Sequence, residues 1–159
     1  MDAAYLDIIV LVERLRRLFL EVVKVELDSQ GVHDINNVQA VILFNIGDVE
    51  MTVGELTLRG CYLGSNVSYN VKKMVEAGYL VQERSPHDRR SVRVRLSDKG
   101  RVLRDKISAM HDRHVQALTQ GVVPHEDLVN AQTTLRRLER FWIQAVELGA
   151  RTTQFNPAA

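Results

Sequence analysis

Polar side chains that donate and accept hydrogen bonds are concentrated between positions 65 and 73 of this 159-residue chain. An asparagine amide can pair bidentately with adenine, and serine or tyrosine hydroxyls can reach either bases or phosphates. Lysine ammonium groups suit phosphates, which give affinity without sequence information. The alternative is that some of these side chains merely face solvent, and for Lys73 the two readings weigh about equally. The residues are Ser65, Asn66, Ser68, Tyr69, Lys72 and Lys73.

A second group with recognisable chemistry is Asp88, Arg89 and Arg90, in a polar stretch between two strand-like segments. A guanidinium is attracted to the negative potential of a narrow DNA minor groove. A carboxylate two residues away can hold that guanidinium in a fork geometry. The alternative for Asp88 is a simple turn-forming residue.

The first polar group requires a helix that buries its other face. Val67, Val71, Met74 and Val75 recur at helical spacing and predict a helix over 65–77, which Gly78 would end. A shorter helix precedes it, with Thr52 as N-cap and Glu55 completing a capping box. The glycines at 60 and 64 mark a tight turn between the two helices.

The second polar group requires a hairpin. The segments 79–84 and 92–96 read as strands, and Arg93 and Arg95 alternate with apolar residues in the second of them. One face of that strand is therefore apolar and the other cationic, so its arginines would either contact phosphates or stabilise the sheet. A helix-turn-helix followed by a basic hairpin is a winged helix.

The chain resembles the MarR family of bacterial transcription regulators in three short motifs. They are Gly78-Tyr79-Leu80-Val81 with Arg84, Asp88-Arg89-Arg90, and Val94-Arg95-Leu96-Ser97 with Gly100. The segment GSNVSYN also resembles an alphaproteobacterial subgroup, the LdtR- and PetP-like regulators. The resemblance implies a dimeric regulator of a pseudo-palindromic operator, with Arg90 in the minor groove and Asp88 orienting it. It also implies repression relieved by a small effector, often an anionic aromatic, bound between the dimerisation region and the winged helix.

The flanking segments predict long helices over 4–29, 38–46, 98–118 and 125–148. Two of them carry apolar seams with three- and four-residue steps, which are typical of helix pairing between subunits. The fold is thus mainly α with a small β wing: a winged helix-turn-helix over 37–97, a helical dimerisation region over 1–36 and 98–150, and a flexible tail over 151–159. A monomeric helical bundle is the alternative. The predicted dimerisation residues are Leu11, Leu15, Leu18, Leu135, Leu138 and Trp142.

Charge is distributed unevenly along the chain, although the net charge is only +1. Between Arg59 and Arg104 there are 11 Lys/Arg and 4 Asp/Glu, a local charge of +7, against −6 in the remainder. A basic segment on an acidic scaffold favours a nucleic-acid partner, here double-stranded DNA. A solvated basic hairpin is the alternative.

Other chemistry finds little support in the sequence. Cys61 reads as a structural thiol rather than a redox sensor, and His111 with His114 lacks the further ligands of a zinc site. We predict no enzyme, no metal and no cofactor. Charged residues interrupt the apolar stretch 5–27, so no membrane span is expected, and one cysteine suits the cytoplasm. A metal- or redox-responsive regulator on the same fold and a winged-helix module for protein partners stay open.

Overall fold

The computed structural model describes residues 2–60, 64–84 and 91–154, apart from the side chains at 64, 65 and 150–154. It forms two compact units, residues 1–111 and 112–159. The elements follow one another as α1 (Ala3–Ser29), α2 (Asn37–Ile46), β1 (Met51–Thr52), α3 (Val53–Arg59), α4 (Gly64–Glu76), β2 (Leu80–Arg84), β3 (Val92–Leu96), α5 (Asp98–Thr119) and α6 (His125–Gln154).

Helix starts are fixed by local hydrogen bonds that the sequence specifies. Asn36 caps α2 and forms a capping box with Gln39, and Thr52 does the same for α3 with Glu55. Each box satisfies two backbone donors that a helix start otherwise leaves without partners. The hydroxyl of Ser97 accepts from an amide of the first turn of α5 at 3.0 Å. The capping box that the sequence predicts at Thr52 and Glu55 is therefore confirmed.

Helix α4 ends in a Schellman motif. The Gly78 amide donates to the Val75 carbonyl at 3.0 Å, and the Tyr79 amide donates to the Met74 carbonyl at 2.9 Å. Gly78 has a φ of 79°, a left-handed conformation that glycine adopts without steric cost. This turn delivers the chain directly into the wing sheet.

The wing sheet is antiparallel and three-stranded, in the order β1-β3-β2. β2 and β3 pair over their whole length, from Leu80 opposite Leu96 to Arg84 opposite Val92. Val94 and Leu96 are buried while Arg93 is exposed, so the predicted apolar and cationic faces are confirmed. The residues between β2 and β3 lie outside the described part of the chain.

The buried core lies in the first unit and draws on every one of its helices. Its largest fully buried side chains come from α1, α2, α3, α4, β3 and α5. They are Ile42, Leu43, Ile46, Leu56, Met74, Met110, Val23, Val67 and Val94. The apolar face predicted for the helix over 65–77 is thus the face of α4 that packs inward.

Helix α1 contributes little to that core for its length. Only Val23 and Leu27 of its 27 residues are buried. Leu11, Leu15 and Leu18 of the predicted seam are exposed in the single chain. A helix that pairs with another subunit requires an apolar stripe that the described residues of its own compact unit leave exposed.

The mainly α fold with a small β wing is confirmed, and α6 extends six residues beyond its predicted end at 148. The division into a DNA-binding domain and a dimerisation region stays a prediction, and the last five residues of the predicted tail lie outside the described residues. Within the described ranges, none of the helices combines the length and apolar character needed to cross a membrane.

Candidate nucleic-acid interface

Helix α4 presents a polar face opposite the one it buries. Val67, Val71 and Met74 face the core. Asn66, Ser68, Tyr69, Lys72 and Lys73 are exposed, with Tyr69 61% accessible despite its large ring. A tyrosine ring held in water is available for contact with a partner, because its apolar body gains from burial there.

The two lysines of α4 differ in their surroundings. The Lys73 ammonium donates to a Glu76 carboxylate oxygen at 3.0 Å, and this hydrogen bond raises the pKa of Lys73. Lys72 has no ion-pair partner among the described residues. A phosphate would therefore have to compete with Glu76 for Lys73, whereas no described carboxylate competes for Lys72.

The two asparagines of α4, Asn66 and Asn70, differ in whether their side chains are bonded within the helix. The Asn70 side-chain amide donates to the Asn66 backbone carbonyl at 2.8 Å, one turn earlier in the helix. Asn70 is thus engaged within α4. The Asn66 side chain is exposed, at the end of the helix that a recognition helix turns toward base edges.

A groove of about 610 Å³ lies between α4, the start of α3 and the wing strands. Its lining combines apolar side chains with hydroxyl, amide and ammonium groups, and none of the lining residues that the structure describes carries a carboxylate. This lining suits a phosphate rather than a cation. The lining residues are Thr52, Val53, Gly54, Ser68, Val71, Lys72, Gln82, Ser91 and Val92.

The strand arginines are engaged with carboxylates. Arg95 contacts Glu83 on the neighbouring strand at 3.1 Å, and Arg93 lies 3.9 Å from Glu50. The sequence left two roles open for these arginines, phosphate contact and stabilisation of the sheet. Their contacts with carboxylates favour stabilisation of the sheet. Exposed pairs of this kind contribute about 0.2–1 kcal/mol each.

A second cleft, of about 410 Å³, lies beside the C-terminal half of α1 and the loop to α2. Its charged lining is Glu21, Lys24 and Asp28, with His33 beside them. With two carboxylates and one ammonium group among its described lining residues, this cleft repels an anion more than it attracts one. It therefore gives no support to an anionic effector at this position.

Several predicted residues lie outside the described part of the chain: Asp88, Arg89, Arg90, Cys61 and the side chain of Ser65. The structure places His111 half-buried between two aromatic rings, 5.8 Å from Phe19 and 4.9 Å from Phe44, while His114 is exposed. No group of three or more metal-ligating side chains occurs in the described ranges.

Comparisons with known proteins agree with this geometry. Residues 35–100 match the family model described as a winged helix DNA-binding domain. The fold is similar to that of AbsC from Streptomyces coelicolor, a MarR family transcriptional regulator (TM-score 0.73, 18% identity, 91% of this chain and 97% of that chain). It is also similar to Streptococcus pneumoniae FabT, solved in complex with DNA (TM-score 0.72, 21% identity, 89% and 99%).

The deciding match covers three quarters of a known regulator. The chain is 39% identical over 145 residues to the exopolysaccharide II synthesis transcriptional activator ExpG of Rhizobium meliloti, covering 91% of this chain and 75% of ExpG. The chain belongs to the MarR family of winged-helix transcription regulators. It is a DNA-binding protein, as its basic segment predicted. The narrower likeness to the LdtR- and PetP-like group stays a prediction.

For a MarR family member, the sequence analysis missed part of the polar groove. Gln82 and Ser91 line it but were not singled out. The available signal was the strand alternation, which places Gln82 on the same face of β2 as the buried Leu80, opposite Val94 of β3. Local alternation could not show that this residue lies beside Lys72 of a different element.

Proposed function

We propose that the chain is a dimeric, sequence-specific regulator that binds a pseudo-palindromic operator with half-sites about 10 bp apart. The observation that carries the proposal is the exposed polar face of α4 next to a groove whose described lining residues include Lys72 and no carboxylate. Asn66, Ser65 and Ser68 are the base-reading candidates, with Tyr69 against a thymine methyl or a phosphate. A regulator of this kind acts on the chromosome, so we place it in the cytoplasm.

The groove supports a path for the DNA. If α4 enters the major groove and Arg90 enters the adjacent minor groove, the sugar-phosphate strand that separates the two must cross between them. The groove beside Lys72 lies between α4 and the strands that lead to Arg90. Lys72 then neutralises a phosphate of that strand, with Arg89 and Lys73 as further phosphate contacts.

Dimerisation supports specificity, because one winged helix covers a single half-site. The exposed leucines of α1 favour a second copy of the chain as their cover. On α6, Leu135 is exposed and Leu138 and Trp142 are half-buried in the single chain. We propose that these residues of α1 and α6 form the dimer interface.

The proposal also covers two further points: whether the protein represses or activates transcription, and whether a small effector controls it. The resemblance favours a repressor released by a small ligand, whereas ExpG is named an activator. A ligand can act only by stabilising a dimer geometry whose two recognition helices no longer match the half-sites. Selection of bound fragments from genomic DNA by the purified protein would return both the operator and the position of the protein relative to the promoter.

Two substitutions separate base reading from phosphate contact. Asn66→Ala should reduce discrimination between operator and random DNA by about 1–3 kcal/mol, because it removes a bidentate base contact. Lys72→Ala should weaken both DNAs alike and lower the salt slope by about one. Lys73→Ala is the matched control, with a smaller effect because Glu76 already engages that ammonium.

An equal loss on both DNAs for Asn66→Ala would refute its base-reading role. Retention of a protein partner but not of DNA would favour the protein-docking alternative. A change of operator affinity with added zinc or peroxide would point instead to a metal- or redox-responsive regulator.

A further inference from the structure

Three side chains from distant parts of the sequence meet behind the recognition helix. The Tyr79 hydroxyl donates to one oxygen of the Asp34 carboxylate at 2.6 Å. The Lys99 ammonium donates to the other oxygen at 2.6 Å and lies 4.2 Å from the centre of the Tyr79 ring. Asp34 thus uses both oxygens, and the two donors hold the pKa of its carboxyl below the ordinary value. We call Asp34, Tyr79 and Lys99 the junction triad.

The triad joins the end of α4 to the start of α5. The Lys99 ammonium also donates to the Ala77 carbonyl at 2.9 Å, directly after the last residue of the recognition helix. The Tyr79 carbonyl accepts from the Ser97 amide at 3.0 Å. Gly100 packs so closely under the same carbonyl that a Cβ would overlap it. The recognition helix therefore cannot tilt without disturbing the first turn of α5.

Asp34 ties this assembly to α1. The chain leaves α1 through a hydrogen bond from the Val32 amide to the Leu27 carbonyl at 2.9 Å. Ile35, next to Asp34, is in the core, and Asn36 caps α2. The Asp34 carboxylate consequently stands at a fixed place relative to α1, the helix with the uncovered leucines.

The triad is built for orientation more than for stability. The Asp34 and Lys99 side chains are about half exposed, at 50% and 48%, where an ion pair contributes little to the free energy of unfolding. Yet its hydrogen bonds join segments that are 22 to 65 residues apart in the sequence. Short bonds between such segments fix the angle between the helices they adjoin even when their net energy is small.

We propose that the junction triad sets the angle of the recognition helix relative to α1, and thereby the half-site spacing that the dimer accepts. The inference rests on the proposed function, because spacing has meaning only for two recognition helices on one operator. Asp34, Tyr79 and Lys99 are positioning residues in this scheme. None of the three needs to touch DNA.

The test compares Tyr79→Phe and Lys99→Met with the unaltered protein on three kinds of DNA. These are the selected operator, operators with one base pair inserted or removed between the half-sites, and a single half-site. Arg101→Met is the matched control. Arg101 is equally exposed, at 47%, but its 2.6 Å pair with Asp98 lies within α5.

In both triad variants, single half-site affinity should change less than about twofold. The preference for the native spacing should fall about tenfold, within the usual range of coupling between sites. Tyr79→Phe keeps the buried ring and removes only the hydroxyl, so it is expected to fold. Arg101→Met should keep the native preference.

Three results are decisive. If both variants keep the wild-type spacing preference, the triad does not set it. If they lose affinity equally for every DNA, including the single half-site, the triad is merely structural and the inference is overturned. If the unaltered protein itself does not distinguish paired half-sites from one, the proposed dimeric function fails, whatever the variants do.

Discussion

Substitution of Leu15 by aspartate tests the assembly on which specific binding depends. Leu11, Leu15 and Leu18 are 51%, 53% and 57% exposed in the single chain. Full burial of a leucine side chain contributes about 1.5–3 kcal/mol, so covering the exposed half contributes roughly 0.8–1.5 kcal/mol. Six such leucines in a dimer sum to roughly 5–9 kcal/mol, comparable to the cost of association at about 4–15 kcal/mol. Burial of these leucines is thus a large enough contribution to determine whether the dimer forms.

Leu15→Asp removes two of those six contributions and places two carboxylates in an apolar seam. Desolvation of an unpaired charge costs several kcal/mol per ion. The combined loss exceeds about 4 kcal/mol, so we expect the dissociation constant of the dimer to rise at least a thousandfold. Operator binding should fall with it, although every DNA-facing residue is unchanged. Leu15→Asp with Leu135→Asp should complete the conversion to monomer.

Sedimentation velocity over a concentration series measures the effect. Leu15→Ala serves as one control and should weaken the dimer less, because it removes apolar area without adding charge. Leu58→Asp serves as the other, since Leu58 is an exposed leucine of α3 outside the seam. Its dimer should be unaffected. An unaltered protein that is monomeric at tens of micromolar and still binds its operator tightly would refute the reasoning.

Three further expectations concern the wing and the junction. Arg90→Ala should lower operator affinity about tenfold or more at physiological salt, and Asp88→Ala less, in a fluorescence anisotropy titration; unchanged affinity for Arg90→Ala would remove it from the minor groove. Gly100→Ala should destabilise the fold by about 1–3 kcal/mol in urea unfolding, because its Cβ overlaps a backbone carbonyl, whereas Gly54→Ala, with ordinary clearance, should not. Hydrogen bonds from Lys99 and Tyr79 lower the pKa of Asp34 in the folded state below its ordinary 3.8, so the stability that the carboxylate contributes is present above that pH and is lost as the pH falls through the lower folded-state pKa. The difference in free energy of unfolding between the unaltered protein and Asp34→Asn, measured in urea, should therefore shrink as the pH falls below 3.8.

The sequence by itself determined the elements of this protein. Capping boxes at Asn36 and Thr52, the glycine after α4 and the alternation of β3 are all interactions between near neighbours. Such signals act over three or four residues, so they can be read without knowing the fold. The winged-helix order and the buried face of α4 follow from them, and both were predicted correctly.

Only the tertiary structure decided which polar groups meet. Tyr79 and Asp34 are 45 residues apart, and Lys99 is 65 residues from Asp34. Sequence periodicity over a few residues therefore cannot predict the junction triad. Gln82 enters the groove beside Lys72 only because β2 folds back along α4. The difference between Lys73, which pairs with Glu76, and Lys72, which has no described ion-pair partner, is also decided by the tertiary structure. Helical spacing allows a lysine several partners, and packing selects one of them. Contacts of this kind depend on how whole helices and strands pack together. Local interactions restrict the possible packing arrangements but do not determine which one forms.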